Sequence, residues 1–426
     1  MLVAWQDTQK ESEACFRSVA VAAVGSTSGG LASLGPLTAG NPGELSQPTG
    51  AFLDRAGDGW LVGENAVPIP AKYYGWSIRT TRAWYAYRPT GGHFRHPVDL
   101  PDWSFEAPLL AGDQAGATVI AWNTSRGVDL AWGTAVGDLT KPVSYGRGLS
   151  IVGVGVDESG RALIVGYYSD PRANRTAKEI VVITGRDGRF SRPRVIAARP
   201  RDIHRGFLGF LGRPVMAAGP GGQAVIAWAS SFQPETLAGG WDTIVYRHAD
   251  GDFSKPARFA SGFLQERGPE EEPNKGVVDG TGRALMISAG ERGLWEVAVA
   301  PDGRASPPRR ILSPASDYPL ISANARGATS ILVEEGRDED PVGPIKVLLG
   351  NTSADNGPPE TVPLQQETRN REPLTVMSPD GIATVIWAVE PQWSQTPREN
   401  EEATIDALTI APGSQPRLIA HGEPVP

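Results

Sequence analysis

Acidic side chains in three segments are the groups of this sequence best suited to chemistry. A glycoside hydrolase needs two carboxyl groups about 5–10 Å apart across the scissile bond, and segments so rich in acids can supply such a pair. No motif singles out one pair, so the sequence predicts no catalytic residue. Glu335, in the middle segment, is a candidate ligand-binding residue. The acidic segments contain Glu266, Glu270, Glu271 and Glu272; Glu334, Glu335, Asp338, Glu339 and Asp340; and Glu399, Glu401 and Glu402.

Basic side chains are concentrated in another part of the sequence, and Arg205 is the candidate binding residue among them. Charged residues in loops usually serve solubility, which is the simpler interpretation. The functional interpretation is a polarised face that orients a charged partner, an effect that weakens as salt is added. The basic segment contains Arg172, Arg175, Lys178, Arg199, Arg201, His204, Arg205 and Arg213.

Aromatic residues in the connecting segments are candidates for stacking on a sugar or anchoring a protein partner. The alternative is that they cover the ends of the strands. The candidates for ligand contact are Tyr73, Trp76, Trp103, Trp241 and Trp393. Four other tryptophans end apolar strands at equivalent places, which predicts a role in the core; these are Trp5, Trp122, Trp228 and Trp387.

Several other classes of site and partner are excluded by the sequence. His93 and His96 have no third metal ligand nearby, and no nucleophile elbow or phosphate-binding loop is present, so no metal or cofactor is predicted. A net charge of −8 argues against non-specific nucleic-acid binding. No apolar run reaches the ~18–20 residues of a membrane span, so no membrane insertion is expected. Cys15, the single cysteine, excludes an intramolecular disulfide.

The elements that position these residues form a repeat, in which a glycine precedes an apolar strand that often ends in tryptophan. Such a strand, apolar almost throughout, is typical of one covered on both faces. The copies are Gly116–Trp122, Gly160–Tyr167, Gly222–Trp228, Gly282–Ile287, Gly327–Val333 and Gly381–Trp387, with a weaker copy at Gly59–Val62 and a truncated one at Leu2–Trp5.

The second half of the repeat is a glycine turn followed by proline. Asp-Gly between apolar runs predicts a hairpin, and proline after it predicts an edge strand, because proline has no N–H to donate. The clearest copies are Asp187–Pro193 and Asp250–Pro256, with variants at Gly91–Pro97, Gly137–Pro142, Asp302–Pro307 and Gly413–Pro416.

Each unit is therefore predicted to contain four strands, which we name A to D in chain order. In the best-defined unit they are Val154–Asp157, Ala162–Tyr167, Ile180–Thr184 and Phe190–Ile196. Strand A consists of small residues, strand B is apolar and fully buried, and proline lies at the rim, a gradient that radial packing requires. The fold class is thus all-β, a β-propeller of about eight four-stranded blades in one domain over residues 1–426. Seven blades, or a string of β-sandwiches, are the alternatives.

The turns of the form Asp-Gly-x-Phe-Ser-x-Pro resemble degenerate Asp-box turns of bacterial sialidase-like β-propeller repeat proteins. The resemblance extends over the whole chain as a style of repeat and implies a propeller fold. Sialidase activity does not follow from it. Phe94–Pro97 is similar to the Phe-Arg-Ile-Pro motif of sialidases, but it occupies the same place in the repeat as Phe190–Pro193.

The first unit lacks its innermost strand, since Leu2–Trp5 corresponds to part of strand B. Our hypothesis is that the natural chain begins upstream of Met1. An upstream signal peptide would make the protein extracellular or attached to the cell surface, and otherwise we expect it in the cytoplasm.

Long, variable connections between strands B and C, and between D and the next A, lie on one face of a propeller. Binding residues are commonly found on such loops. The sequence therefore predicts a non-enzymatic binding or scaffolding propeller that engages a protein or glycan through this face. The alternative is a glycoside hydrolase or lyase that uses a loop carboxylate on the same face.

Overall fold

The structure is a computed structural model of the 426-residue chain. It describes residues 2–12, 15–25, 31–36, 45–70, 76–104, 106–169, 177–202, 207–208, 210–231, 240–260, 264, 274–290, 293–313, 317–334, 345–354, 360–361, 369–390, 404–414 and 416–424. These residues form strands and turns and contain no helix, so none that is long and apolar enough to cross a bilayer.

The chain divides into two compact units. The first contains Met1–Ala162, Thr184–Ser191 and Pro424–Pro426, and the second contains Leu163–Ile183 and Arg192–Glu423. Sheets 1 to 3 belong to the first unit, sheets 5 to 8 lie almost wholly in the second, and sheet 4 has strands in both.

The first three sheets are antiparallel and follow the order of the chain. Sheet 1 consists of β1 (Leu2–Ser12), β2 (Cys15–Gly25) and β3 (Leu31–Pro36). Sheet 2 consists of β4 (Leu45–Leu53), β5 (Gly59–Pro70), β6 (Trp76–Arg88) and β7 (Val98–Asp99). Sheet 3 consists of β8 (Leu109–Gly112), β9 (Thr118–Thr124), β10 (Gly127–Gly133) and β11 (Val143–Tyr145).

Sheet 4 has a fourth strand in two pieces, both paired with β14. It consists of β12 (Leu149–Val156), β13 (Arg161–Ser169), β14 (Ala177–Arg186), β15 (Arg189–Phe190) and β16 (Arg194–Ala198). A short ribbon of β17 (Arg201–Asp202) and β18 (Phe207–Leu208) follows it.

The remaining sheets repeat the same order, and in sheet 5 the innermost strand is in two pieces. Sheet 5 consists of β19 (Phe210–Leu211), β20 (Val215–Ala218), β21 (Ala224–Ser231), β22 (Trp241–Arg247) and β23 (Ala257–Ala260). Sheet 6 consists of β24 (Asn274–Val278), β25 (Ala284–Gly290), β26 (Gly293–Val299) and β27 (Arg309–Leu312). Sheet 7 consists of β28 (Asp317–Ala323), β29 (Ala328–Glu334), β30 (Ile345–Asn351) and β31 (Glu360–Thr361), and sheet 8 of β32 (Arg369–Met377), β33 (Ala383–Glu390), β34 (Thr404–Ile410) and β35 (Arg417–Pro424).

The predicted all-β class and the predicted repeat of four strands are confirmed. In sheet 4 the predicted strands A to D coincide with β12, β13, β14 and the pair β15 and β16. Within the described residues, sheet 1 has three strands, as expected for a first unit without strand A.

The second strands of sheets 3 and 5 lie in the core, as their apolar sequences predict. Every residue of β9 and β21 is buried, which matches a strand covered on both faces. Trp122 and Trp228 are buried in these two strands, so their predicted core role is confirmed. The side chains of Trp5 and Trp387 lie outside the described part.

The glycine turns also join neighbouring sheets. Gly137, in the C–D turn of sheet 3, has a positive φ, and a Cβ at this position would lie 2.1 Å from the ring of Tyr87 in sheet 2. Gly303, in sheet 6, would place its Cβ 2.4 Å from Ser254 of sheet 5. Glycine therefore serves both the turn conformation and the close approach of the next sheet.

One carboxylate projects into the packing of sheet 2. Glu64 lies on the same face of β5 as Trp60 and Val62, which belong to an apolar cluster that includes Ile120 and Trp122 of sheet 3. Burial raises the pKa of the Glu64 carboxyl above its ordinary value.

Glu64→Gln is expected to increase the free energy of unfolding at neutral pH. The folded protein binds this proton more tightly than the unfolded chain, so the wild type loses stability as pH rises from the unfolded pKa through the higher folded pKa. Urea unfolding between pH 4 and pH 8 measures the effect, with the exposed Glu158→Gln as the control. Parallel stability profiles of wild type and Glu64→Gln would contradict it.

Candidate functional site

The turn between strands A and B is built the same way in most sheets. The residue directly after strand A is Asp, Asn or Ser, and its side-chain oxygen accepts backbone N–H groups from the turn, as in an Asx turn. A glycine with positive φ follows three residues after it. In sheets 3, 4, 6 and 7 the accepting residues are Asp113, Asp157, Asp279 and Asn324, and each Oδ1 accepts from the residues two and four positions later at 2.8–3.0 Å.

The glycine of this turn belongs to the repeat seen in the sequence, whereas the residue three positions before it was not recognised there. The available signal was the recurring pattern Asp-x-x-Gly directly before strand B. These side chains are buried although they are polar. Because buried polar groups are almost always hydrogen-bonded, their primary role is to close the turn.

Sheet 4 shows the simplest form of this turn. Arg161, which follows the glycine, donates from Nε to Asp157 Oδ2 at 2.9 Å. Burial raises the pKa of Asp157, but hydrogen bonds from Ser159 and Arg161 outweigh this and hold it below the ordinary value. The arginine and the aspartate thus satisfy one another within a single turn.

Sheet 6 has the same aspartate and arginine in its A–B turn, but their side chains have different hydrogen-bond partners. Asp279 Oδ2 accepts from the hydroxyl of Thr352, in the C–D turn of sheet 7, at 2.6 Å. Arg283, equivalent to Arg161, instead donates to Ser353 Oγ at 2.7 Å. A threonine from the neighbouring sheet has therefore taken the place that an arginine occupies in sheet 4.

A cavity of about 550 Å³ lies where these turns of sheets 6 and 7 meet, and we call it the turn crevice. Its walls include the A–B turns of both sheets and the C–D turn of sheet 7. Residues that line it are Asp279, Thr281, Arg283, Arg326, Thr352 and Ser353.

The position of the sheet 7 turn is fixed by further contacts. The N–H of Thr352 donates to Gly327 O at 2.9 Å. Arg309, paired with the fully buried Glu296 in sheet 6, also donates to the carbonyl of Ala354. These contacts hold Thr352 and Ser353 against sheet 6.

Tyr246 of sheet 5 supports the other side of the crevice. Burial raises the pKa of Tyr246 to about 12, and the charge of Asp279 adds to this effect. The hydroxyl group therefore stays protonated at neutral pH, and it donates to the carbonyl of Gly282. The A–B turn of sheet 6 is thus fixed from both neighbouring sheets.

Both carboxylate oxygens of Asp279 are occupied as hydrogen-bond acceptors, whereas several arginine N–H groups in the crevice have no partner among the described residues. Asp279 Oδ1 accepts from the hydroxyl of Thr281 at 2.7 Å in addition to its turn contacts, and Oδ2 accepts from Thr352. The guanidinium of Arg326 is exposed and has no hydrogen-bond partner among the described residues. Arg283 uses one of its five N–H groups on Ser353.

Of the predicted site residues, the structure describes the side chains of Trp103 and Trp241. Trp103 lies between β7 and β8, packs against the cluster of Trp60 and Trp122, and donates from Nε1 to Glu106 O at 2.7 Å. Trp241 is the first residue of β22, and the guanidinium of Arg258 lies 5.6 Å from its ring centre. Neither residue contributes to the turn crevice.

The other candidates stay predictions. Trp76 is the first residue of β6, and its side chain lies outside the described part. Tyr73, Arg205, Glu335 and Trp393 also lie outside the described residues, as does most of the acidic and basic segments. Among the described side chains, no group of three His, Cys, Asp or Glu is arranged to hold a metal ion.

Comparison with known proteins gives no family assignment. No family model and no curated protein matches the chain. Solved structures that it resembles include a polysaccharide lyase of family PL25, an ulvan lyase, with 9% identity, a TM-score of 0.48, and coverage of 83% of this chain and 90% of the lyase. A catalytically inactive virginiamycin B lyase from Staphylococcus aureus, with quinupristin, has 13% identity, a TM-score of 0.43, and coverage of 81% and 92%.

The chain also resembles a prolyl endopeptidase, with 13% identity and a TM-score of 0.44. The matched region comprises 93% of this chain and 55%, about half, of the endopeptidase. At these identities and TM-scores the comparisons decide neither family nor activity. The resemblance to sialidase-like propellers stays a prediction.

Gly327→Ala is expected to destabilise the protein more than Gly381→Ala. Both glycines have positive φ, +88° and +81°, so alanine costs on the order of 1–2 kcal/mol at either position. Only at Gly327 would the added Cβ lie 2.7 Å from Asp279 Oδ2 and 2.8 Å from Thr352 Oγ1, whereas at Gly381 the nearest atom is 3.8 Å away. Urea unfolding of the two variants measures the difference. Equal losses of unfolding free energy would show that the Asp279–Thr352 contact does not require glycine at position 327.

Proposed function

We propose that the protein is a non-enzymatic binding propeller that engages a protein or glycan partner. Sheets 2 to 8 share one four-strand order and sheet 1 has three described strands, which supports the predicted propeller of about eight blades in a single domain over residues 1–426. The turn crevice is the proposed binding site. The observation that carries this proposal is the convergence of Arg283, Arg326 and Ser353, from two sheets, on one polar cavity.

The chemistry of the crevice favours binding over catalysis. A carboxylate that acts as general acid or base must exchange a proton with its substrate, but both oxygens of Asp279 accept hydrogen bonds from Thr281, Thr352 and the turn backbone. A few polar groups that converge on a cavity are typical of a recognition site. A glycoside hydrolase or lyase that uses a loop carboxylate such as Glu335 is the alternative.

The crevice lies at the end of the sheets opposite the long connections. In an antiparallel sheet the A–B and C–D turns share one end and the B–C connection lies at the other. The face of the B–C and D–A connections, where the sequence predicts binding, is a second proposed surface. The experiment below distinguishes it from the turn crevice. Its candidate residues are Tyr73, Trp76, Trp103, Trp241, Trp393, Arg205 and Glu335.

The double variant Arg283→Ala/Arg326→Ala is expected to bind its partners at least tenfold more weakly than wild type, because it removes the cations that line the crevice. Binding is measured on an array of neutral and acidic glycans and on a peptide array. Arg310→Ala/Arg417→Ala, on exposed outer strands, removes the same charge elsewhere and is expected to leave binding unchanged.

Loss of binding in Trp241→Ala/Trp393→Ala, with the crevice variant unaffected, would move the site to the long-loop face. Turnover of a chromogenic glycoside by wild type, abolished by Glu335→Gln, would replace the proposal with the enzymatic alternative.

A further inference from the structure

We infer that the turn crevice recognises an oxyanion on the partner, namely a carboxylate, sulfate or phosphate group, and that Thr352 keeps the site open by occupying Asp279. This inference rests on the proposed binding function and adds the ligand class and the residue that sets it. It concerns only sheets 6 and 7.

The hydrogen-bond donors and acceptors of the crevice define the class of ligand. The hydroxyl hydrogens of Thr281 and Thr352 are both donated to Asp279. Ser353 Oγ accepts from Arg283, and its own hydrogen has no acceptor among the residues that the structure describes. The crevice thus offers guanidinium and hydroxyl donors while its carboxylate is fully engaged. A group that only accepts hydrogen bonds and carries negative charge fits this arrangement, and arginine binds such groups with two parallel hydrogen bonds.

The charge balance agrees with the hydrogen-bond inventory. Arg283 and Arg326 bring two positive charges to the cavity wall, and Asp279 brings one negative charge that is hydrogen-bonded from several directions. The nearby Asp302 and Arg304 pair with each other at 2.6 Å in the C–D turn of sheet 6 and add no net charge. The crevice is therefore cationic within a chain whose net charge is −8.

Sheet 4 shows what the same turn does without a threonine on its aspartate. There Arg161 contacts Asp157 directly, with Nε to Oδ2 at 2.9 Å, and this contact lies within one turn. In sheet 6 the Thr352 hydroxyl holds Oδ2 of Asp279, and Arg283 reaches Ser353 instead. Thr352 is thus a positioning residue: it acts on the ligand through Arg283.

Two features keep Thr352 in place. Gly327 leaves space for the hydrogen bond between Thr352 and Asp279. A Cβ at this position would lie 2.8 Å from Thr352 Oγ1 and would displace it. The backbone of Thr352 is also tied to Gly327 O. When the hydroxyl is removed, Arg283, four residues away in the same turn, is expected to replace it as donor to Asp279, as Arg161 donates to Asp157 in sheet 4.

Thr352→Val tests the inference, because valine keeps the shape of threonine and removes its donor. Isothermal titration with inorganic sulfate, inorganic phosphate and glucuronate is expected to show binding to wild type and at least tenfold weaker binding to Thr352→Val. Thr352→Ser, which keeps the donor, is expected to bind within about threefold of wild type. The three probes distinguish sulfate, phosphate and carboxylate as the source of the oxyanion.

A rescue variant separates positioning from general damage. Asp279→Asn removes the charge that would capture Arg283, and Asn324 shows that asparagine can close this turn in sheet 7. Thr352→Val/Asp279→Asn is therefore expected to recover most of the affinity that Thr352→Val loses. A merely structural role of Thr352 predicts no recovery, and that result would overturn the inference.

A ligand-free crystal structure of Thr352→Val provides a readout independent of binding. We expect Arg283 Nε to contact Asp279 Oδ2 as Arg161 contacts Asp157. If Arg283 stays on Ser353 and affinity is unchanged, Thr352 has no positioning role, although the crevice still binds anions. If wild type binds none of the three anions but binds neutral glycans on the array through the crevice, the oxyanion inference is wrong and the proposed binding function stands.

Discussion

The closure of each A–B turn by a buried side-chain oxygen is the constraint on which the rest of the site depends. A turn of this kind ends strand A, starts the buried strand B and leaves several backbone N–H groups needing a partner. Asp, Asn or Ser at its first position supplies that partner, and a glycine with positive φ completes the turn. In sheet 5 the position is Gly219, and the backbone hydrogen bonds between residues 219 and 223 suffice.

A repeated turn becomes a site where one copy departs from the others. Aspartate needs two of its oxygen lone pairs for the turn, so Oδ2 is left for another donor. Sheet 4 supplies that donor from the turn itself, through Arg161. Sheet 6 takes it from Thr352, which lies 73 residues further along the chain. The two turns thus differ in the hydrogen-bond partner of Oδ2: an arginine of the same turn in sheet 4 and a threonine of the next sheet in sheet 6.

The repeat made the strands predictable, because each is set by local signals. Alternation of apolar runs, turn glycines and proline predicts strands A to D, and β12 to β16 follow that prediction closely. The turn crevice was not predictable in this way, because Asp157 and Asp279 occur in nearly identical local sequences, Asp-x-x-Gly-Arg. What distinguishes them is a contact with the next sheet. Trp241 illustrates the same limit: it follows a loop in sequence but begins a strand and pairs with Ser230.

The most direct test of this account is the position of an anion in a crystal of the wild-type protein. Crystals soaked in selenate, an analogue of sulfate, should show an anomalous peak within hydrogen-bonding distance of the guanidinium groups of both Arg283 and Arg326. A crevice without a peak, while selenate occupies other arginines on the surface, would contradict the claim that this junction of two sheets is a built anion site.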